Sequence, residues 1–202
     1  MIRIHGTARS RAFRCIWAAE EAGLPFVLVE TGFGAALRSA DHLRVNPNGK
    51  IPALEDGDLV LFESLAINLH LARRAGPPLM PEGDDASRVL QWTLWAATEV
   101  EPAAMQWAYH TYLRPEGERD AGQAAQGASG LGARLDVLES HLEGQPHLLG
   151  EAFTIADCNL AGVLYGAWSN RFDFGGHTRC RAWLERCFNR PGALAARKLR
   201  EG

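Results

Sequence analysis

The chain has 202 residues, of which 47% are hydrophobic and 22% charged, and its 21 basic and 24 acidic side chains leave a net charge of −3. Such a hydrophobic content excludes global disorder. So small a charge excess disfavours a broad phosphate-binding surface, and nucleic acid is not expected as a partner. The length fits one large domain or two small ones. The opening Met1-Ile2-Arg3-Ile4-His5 lacks the apolar core of a signal peptide. No apolar run approaches the roughly 18 residues of a membrane span, so no membrane partner is expected. Cys15, Cys158, Cys180 and Cys187 show no CxxC spacing and read as reduced thiols of a cytoplasmic protein. Cys180 and Cys187 share a helical stripe with Trp183 and Leu184, which marks them as core. The seven histidines form neither an HExxH nor a paired motif, so no metal site is expected.

Ile2 to His5 is a short alternating run that ends at Gly6. Phe13, Ile16, Trp17 and Leu24 recur near helical spacing, and that helix should stop at Gly23, before Pro25. Phe26-Val27-Leu28-Val29-Glu30 reads as a buried strand. After Gly32 and Gly34, a short polar helix is predicted over Leu37 to Leu43. Asn46-Pro47-Asn48-Gly49 is a turn cluster. Ile51 to Glu55 and Leu59 to Phe62 flank Asp56-Gly57, a hairpin signal. Glu63-Ser64 then opens a helix to about Arg74. The order is βαβ, α, a ββ hairpin and α. It predicts a mixed four-stranded sheet with helices on both faces.

Gly76 to Gly83 holds three prolines and two glycines in eight residues and reads as an interdomain linker. Beyond it only helices are predicted. One runs from Val89 to Tyr112. Another carries the stripe Leu131, Leu135, Leu138, Leu142. A third carries Ile155, Leu160, Leu164 and Trp168, a fourth covers Cys180 to Phe188, and a last one restarts at Pro191. Gly127-Ala128-Ser129-Gly130-Leu131-Gly132 lies after no strand, so it reads as a frayed helix start, not a phosphate loop. Thr154-Ile155-Ala156-Asp157 has capping-box spacing, with Asp replacing the usual Glu, and is assigned to folding.

The order of these pieces, with Asn46-Pro-Asn-Gly-Lys-Ile-Pro-Ala-Leu54, Phe62-Glu-Ser-Leu-Ala-Ile67 and Gly150-Glu-Ala-Phe-Thr-Ile-Ala-Asp157, resembles the cytosolic glutathione S-transferase superfamily over essentially the whole chain. More narrowly, it is similar to a serine-type, bacterial-like member. The resemblance implies an α/β plus all-α chain. Residues 1–76 would form a thioredoxin-like glutathione-binding domain, 77–83 a linker, and 84–202 an all-helical bundle. It implies a cytoplasmic homodimeric transferase, used in detoxification, that adds glutathione thiolate to a small hydrophobic electrophile. A glutathione-dependent isomerase or peroxidase, or a non-catalytic glutathione-binding protein, are the alternatives on the same fold.

Glutathione is the implied cosubstrate, with two carboxylates, an ammonium and a thiol to be met. At the start of a helix, the Ser64 hydroxyl and free N–H groups suit the γ-glutamyl carboxylate, and Ser64 is also a candidate N-cap. Glu63 would take the ammonium. Ile51-Pro52 resembles the family's cis-proline step, with the Ile51 backbone facing the ligand, and Lys50 would meet the glycyl carboxylate. Ser10, four residues before Arg14, resembles the Ser-x-x-x-Arg pattern that lowers the thiol pKa. It is also a candidate helix cap, and Thr7 is a second candidate for activation. Arg9, Arg11 and Arg14 would add positive potential. Arg9 stands where cysteine-type members carry their cysteine, and Cys15 reads as packing. Trp107, Tyr109 and Trp168, with His110, Tyr112 and Phe172 nearby, are candidates for the electrophile pocket, expected between the domains. Glu99 and Glu101 are weaker candidates for the ammonium.

Overall fold

Alternation at the N-terminus builds the middle of a sheet. In a computed structural model describing residues 1–202, β1 (Ile2–Gly6) lies between β2 (Phe26–Glu30), parallel to it, and β3 (Ala53–Asp56), antiparallel. β4 (Leu59–Phe62) closes the order β2-β1-β3-β4. The turn Gly57-Asp58 joins the last two strands, with Gly57 at φ 62°. The strand expected from Ile51 begins only at Ala53, since Pro52 has no N–H to give a ladder. β2 is not the buried strand its composition suggests. It pairs only with β1 and leaves Val27 exposed, because it sits on the edge of the sheet.

Helix α1 (Ala12–Glu21) is buried along most of its length, with Phe13, Ile16 and Trp17 in the core, and packs against α3 (Ser64–Ala75). The single polar helix expected over 37–43 is two pieces, a 3₁₀ turn over Gly34–Arg38 and α2 (Ala40–Val45). Ser39 divides them in extended conformation, and its hydroxyl accepts the His42 N–H at 3.2 Å as an N-cap. Asp56 ties the hairpin to α3 through His70 at 2.8 Å and Arg74 at 2.6 Å. The His70 hydrogen bond, then Arg74, hold the Asp56 carboxyl below its ordinary range against the opposing effect of burial.

The chain forms two units, Met1–Glu82 with Asn189–Gly202, and Gly83–Phe188. The last helix therefore does not belong to the helical part, where the division 84–202 puts it. α9 (Pro191–Glu201) packs along α1 instead. A short, Ala-rich amphipathic pattern reports a buried face and not which neighbour covers it.

The helical unit contains α4 (Gly83–Trp95), α5 (Glu101–Ala108), α6 (Ala121–His141), α7 (Ile155–Ser169) and α8 (Thr178–Phe188). The long helix expected from Val89 to Tyr112 is interrupted by π-turns at Ala96–Val100 and Tyr109–Leu113. Pro102 at the start of α5 lacks an N–H, and the widened turn before it accommodates the missing bond. The glycines at 127–132 are not a helix start. Asp120 caps α6 through the Gln123 N–H at 2.9 Å, so they lie well inside it. A Cβ on Gly127 would come within 2.4 Å of the Trp107 nitrogen, so this glycine lets α5 cross α6 closely.

The capping box at Thr154 and Asp157 forms. Its carboxylate does more than cap. Fully buried, it accepts the Thr154 N–H and Leu148 N–H at 2.9 Å, the Thr154 hydroxyl at 3.2 Å, and the Trp183 indole N–H at 2.9 Å. α7, the 148 loop and α8 thus meet at one side chain. Asp157→Ala strands these buried donors and should cost about 3 kcal/mol or more, beyond the ~1 kcal/mol of a lost cap. Chemical denaturation of the purified variant checks this, and a shift under 1 kcal/mol would reduce Asp157 to an ordinary cap.

Candidate active site

Gly6 ends β1 at φ 148°, a conformation that favours glycine, and a Cβ there would lie 2.7 Å from the Ala12 Cβ. The same point is 3.5 Å from the Ile51 Cβ and 3.6 Å from the Ser10 hydroxyl oxygen. The loop after β1 and the turn before β3 therefore meet over a bare stretch of backbone. Sequence reading saw in Gly6 only the end of a strand.

The loop is wound tightly. Ser10 donates its hydroxyl to the Thr7 carbonyl at 2.7 Å and accepts the Ala12 N–H at 3.1 Å. The Ser10 N–H also reaches the Thr7 carbonyl at 2.9 Å, and the Ser10 carbonyl accepts the Phe13 N–H at 3.2 Å. Ser10 is half-buried and caps the first free N–H of α1 one residue ahead of the formal cap, Arg11. The Thr7 hydroxyl accepts the Arg9 N–H at 3.4 Å. Arg9 and Arg11 are exposed, whereas Arg14 is buried and donates to the Ser64 hydroxyl at 3.4 Å. Arg14 thus serves the Ser64 end of the site. Cys15 is buried with its thiol on the Ser64 carbonyl at 3.6 Å, and burial pushes that thiol far above its ordinary pKa. It packs and is not a nucleophile.

Ser64 is the first residue of α3, not its cap. The cap position is Glu63, whose side chain makes no capping bond and whose φ of 72° and ψ of 113° are rare for a residue with a Cβ. Such strain costs on the order of 1–3 kcal/mol and gathers at functional sites. No sequence signal marks a glutamate for it. The turn before β3 brings Lys50, Ile51 and Pro52 together, with a cis Ile51-Pro52 bond, as the resemblance implies. The Lys50 carbonyl accepts Asn46 Nδ2 at 2.7 Å and meets His42 Nε2 at 3.0 Å, leaving its exposed ammonium to solvent. Arg38 was missed by sequence reading. Its Nη1 lies 2.8 Å from where a Gly49 Cβ would stand, beside Lys50. Neither cation is in an ion pair, so the turn carries two unneutralised positive charges. A lone basic residue ending a short polar segment has no signature until the turn folds beneath it.

In the helical unit, the aromatic candidates separate. Trp107 packs edge-on to Phe172 at 5.1 Å and lines a cavity of about 340 Å³ with Phe172, Phe174, Ala128, Gly132 and His177. Trp168 packs against Phe188 at 4.7 Å, the rings tilted by 42°, and lines another cavity, which shares Phe172 and Phe174 with the first. Tyr109 lines neither. It is 44% exposed, with the Arg114 guanidinium 5.6 Å from its ring centre. His110 Nδ1 accepts the Asp120 N–H at 3.1 Å, and Glu99 pairs with Arg134 at 2.8 Å.

Comparison with known proteins gives this arrangement a context. Residues 5–73 match the family model for the glutathione S-transferase N-terminal domain, and residues 100–191 that for its C-terminal domain. The chain is 35% identical over 167 residues to glutathione S-transferase 3 of Zea mays, an alignment covering 79% of this chain and 75% of the relative. The theta class glutathione S-transferase from the citrus canker pathogen Xanthomonas axonopodis pv. citri, solved with glutathione bound, superimposes with a TM-score of 0.89 at 30% identity, covering 96% of each chain. Glutathione S-transferase I from maize, in complex with an atrazine glutathione conjugate, gives 0.91 at 28% identity, covering 99% of this chain and 98% of its own.

Proposed function

Because the chain belongs to the glutathione S-transferase family, we propose that it is a serine-type glutathione transferase in which Ser10 activates the thiol of bound glutathione. Glutathione is the cosubstrate. The observation that carries the reading is the meeting of the Ser10 hydroxyl and Ile51 over Gly6, with Ser64 joined to the same helix through Arg14.

Each end of the tripeptide finds a matching group in the sheet unit. The free N–H groups of the first turn of α3 and the Ser64 hydroxyl suit the γ-glutamyl carboxylate. Glu63, turned outward by its backbone, suits the ammonium. Arg38 and Lys50 suit the glycyl carboxylate, and the Ile51 backbone suits the cysteinyl amide. The thiol then lies at the Ser10 loop. Its proton leaves to solvent, the Ser10 hydroxyl turns from the Thr7 carbonyl to donate to the thiolate, and the sulfur lone pair forms the new bond to carbon. Where the carbon carries a leaving group, that group departs with the bonding pair. A free thiol titrates near 8.5, and each unit of depression requires about 1.4 kcal/mol in favour of the thiolate. One charge-assisted hydrogen bond is of that size.

For the electrophile, the aromatic cavity at Trp107 has the volume and lining of a small-molecule site, which supports a small hydrophobic substrate. Trp168 flanks the same aromatic pair, Phe172 and Phe174. Detoxification is the role such chemistry fits. A cytoplasmic location is consistent with four buried free cysteines and with no helix long and apolar enough to cross a membrane. A homodimer is supported by β4, an edge strand that exposes Leu59, Val60 and Phe62 by 40–43%. An exposed apolar edge of this kind invites a partner.

Ser10→Ala should lower turnover with an aryl halide about ten- to a hundred-fold at neutral pH, on the order of 1.4–2.8 kcal/mol. Activity should partly recover as pH rises, while glutathione affinity changes little. If the bound thiol titrates at the same pH in both proteins, Ser10 is only a cap, and Thr7 or backbone N–H groups take its place. Ser64→Ala should weaken glutathione binding by about 1–3 kcal/mol in calorimetry, and an unchanged affinity removes Ser64 from the site. Light scattering should give twice the mass of one chain, and Phe62→Lys should move it to that of a monomer. A wild-type monomer at micromolar concentration would exclude the dimer.

A further inference from the structure

α9 returns from the helical unit to lie along α1. The two helices run antiparallel, as their end contacts show. At one end, Arg190 pairs with Glu21 at 2.7–3.0 Å through Nε and Nη2, and Trp17 donates its indole N–H to the same carboxylate at 3.0 Å. A Cβ on Gly192 would lie 2.9 Å from that carboxylate and 3.0 Å from the Glu21 nitrogen. The helices are therefore pinned in register there. Ten residues separate Arg190 from Arg200, and ten separate Glu21 from Arg11. At a helical rise of about 1.5 Å per residue, the pinned end sends Arg200 to the loop that precedes α1. There its Nη1 donates to the Ala8 carbonyl at 2.8 Å and the Ser10 carbonyl at 3.2 Å, with the guanidinium 5.5 Å from the Phe13 ring centre.

We infer that Arg200 is a positioning residue for thiol activation: it clamps the Ala8–Ser10 loop from outside and adds a fixed positive charge behind the Ser10 hydroxyl. The inference rests on the glutathione transferase reading and goes beyond it, since none of the family's motifs quoted above includes α9. The argument is one of geometry. Ala8 is buried, yet its carbonyl lies in a turn that has no strand partner. The Ser10 carbonyl already serves the Phe13 N–H. A guanidinium holds both carbonyls at once and so fixes the peptide units that aim the hydroxyl. Arg9 and Arg11, on the loop itself, are exposed and screened, and Arg14 is directed at Ser64. Arg200 is the cation that another element brings to the loop backbone. Arg197, one turn earlier on α9, pairs with Glu201 at 2.9 Å.

The test follows the ultraviolet absorbance of bound glutathione thiolate against pH in the full chain, for wild type, Arg200→Ala, Arg200→Lys and Arg197→Ala. Arg200→Ala should raise the midpoint by about half to one pH unit and lower kcat near neutral pH about three- to tenfold. KM for glutathione should change less than about twofold, because the clamp touches no part of the ligand. Arg200→Lys should recover most of the midpoint shift, and Arg197→Ala, on the same helix, should behave as wild type. A midpoint unchanged in Arg200→Ala, or moved equally by Arg197→Ala, would reduce α9 to packing and overturn the inference. Should Arg200→Ala fail to fold, a wild-type midpoint in Arg200→Lys combined with lower turnover in Arg200→Gln still supports it, and identical curves for Lys and Gln overturn it. A wild type that binds glutathione with no thiolate band and no turnover overturns the functional reading itself, and this inference with it.

Discussion

The close approach at Gly6 is the constraint on which the rest of the sheet unit depends. β1 ends there against the first turn of α1, with room for a hydrogen and not for a carbon. Because the strand can turn so sharply, α1 starts after a tight five-residue loop and lies buried against α3. The first turn of that helix then faces the turn at Ile51, and Arg14, in the same turn, reaches Ser64. Three chain segments far apart in sequence come together because one side chain is missing. Gly127 does the same in the helical unit, where α5 can cross α6 only because no Cβ stands at the crossing.

Buried polar groups set the remaining geometry. Asp157 gathers donors from a loop, its own helix and α8, so the local cap is also a tertiary joint. Burying such a carboxylate is costly unless its lone pairs are filled, and here they are. Arg14 and Ser64 form a second buried polar pair, next to Cys15, whose thiol is inert for the same reason of burial. The contrast between Cys15 and Ser10 is instructive. The more nucleophilic atom lies in the core with a raised pKa, and the proposed chemistry falls instead to a half-buried hydroxyl acting as a hydrogen-bond donor.

The proposed site would therefore work by placing donors and charge instead of by a reactive side chain of its own. In the proposed reading, Ser10, the start of α1 and Arg200 of α9 each favour the thiolate over the thiol. Their separate effects are each of the size of one hydrogen bond, and none has to be large. The strained backbone of Glu63 and the two cations Arg38 and Lys50 fit a proposed site whose parts are held ready before a ligand arrives.

By itself the sequence determined the order of elements, the mixed sheet, the helical second half, the capping box and the stretches that resemble the family, because these depend on periodicity and on residues adjacent in the chain. Ser10, Lys50 to Pro52, Glu63 and Ser64 could be proposed from sequence for the same reason, each lying in a short contiguous motif. Only the tertiary structure decided the rest. It put β2 on an edge, placed the glycines of α6 inside a helix, sent α9 back to α1, and set Arg38 and Arg200 beside loops distant in sequence. It also separated Tyr109 from the cavities that hold Trp107 and Trp168. The physical reason is common to all of these. A side chain's pattern states that it will be buried, or that it is charged, while the partner that buries or faces it is chosen by packing between segments that no local spacing connects.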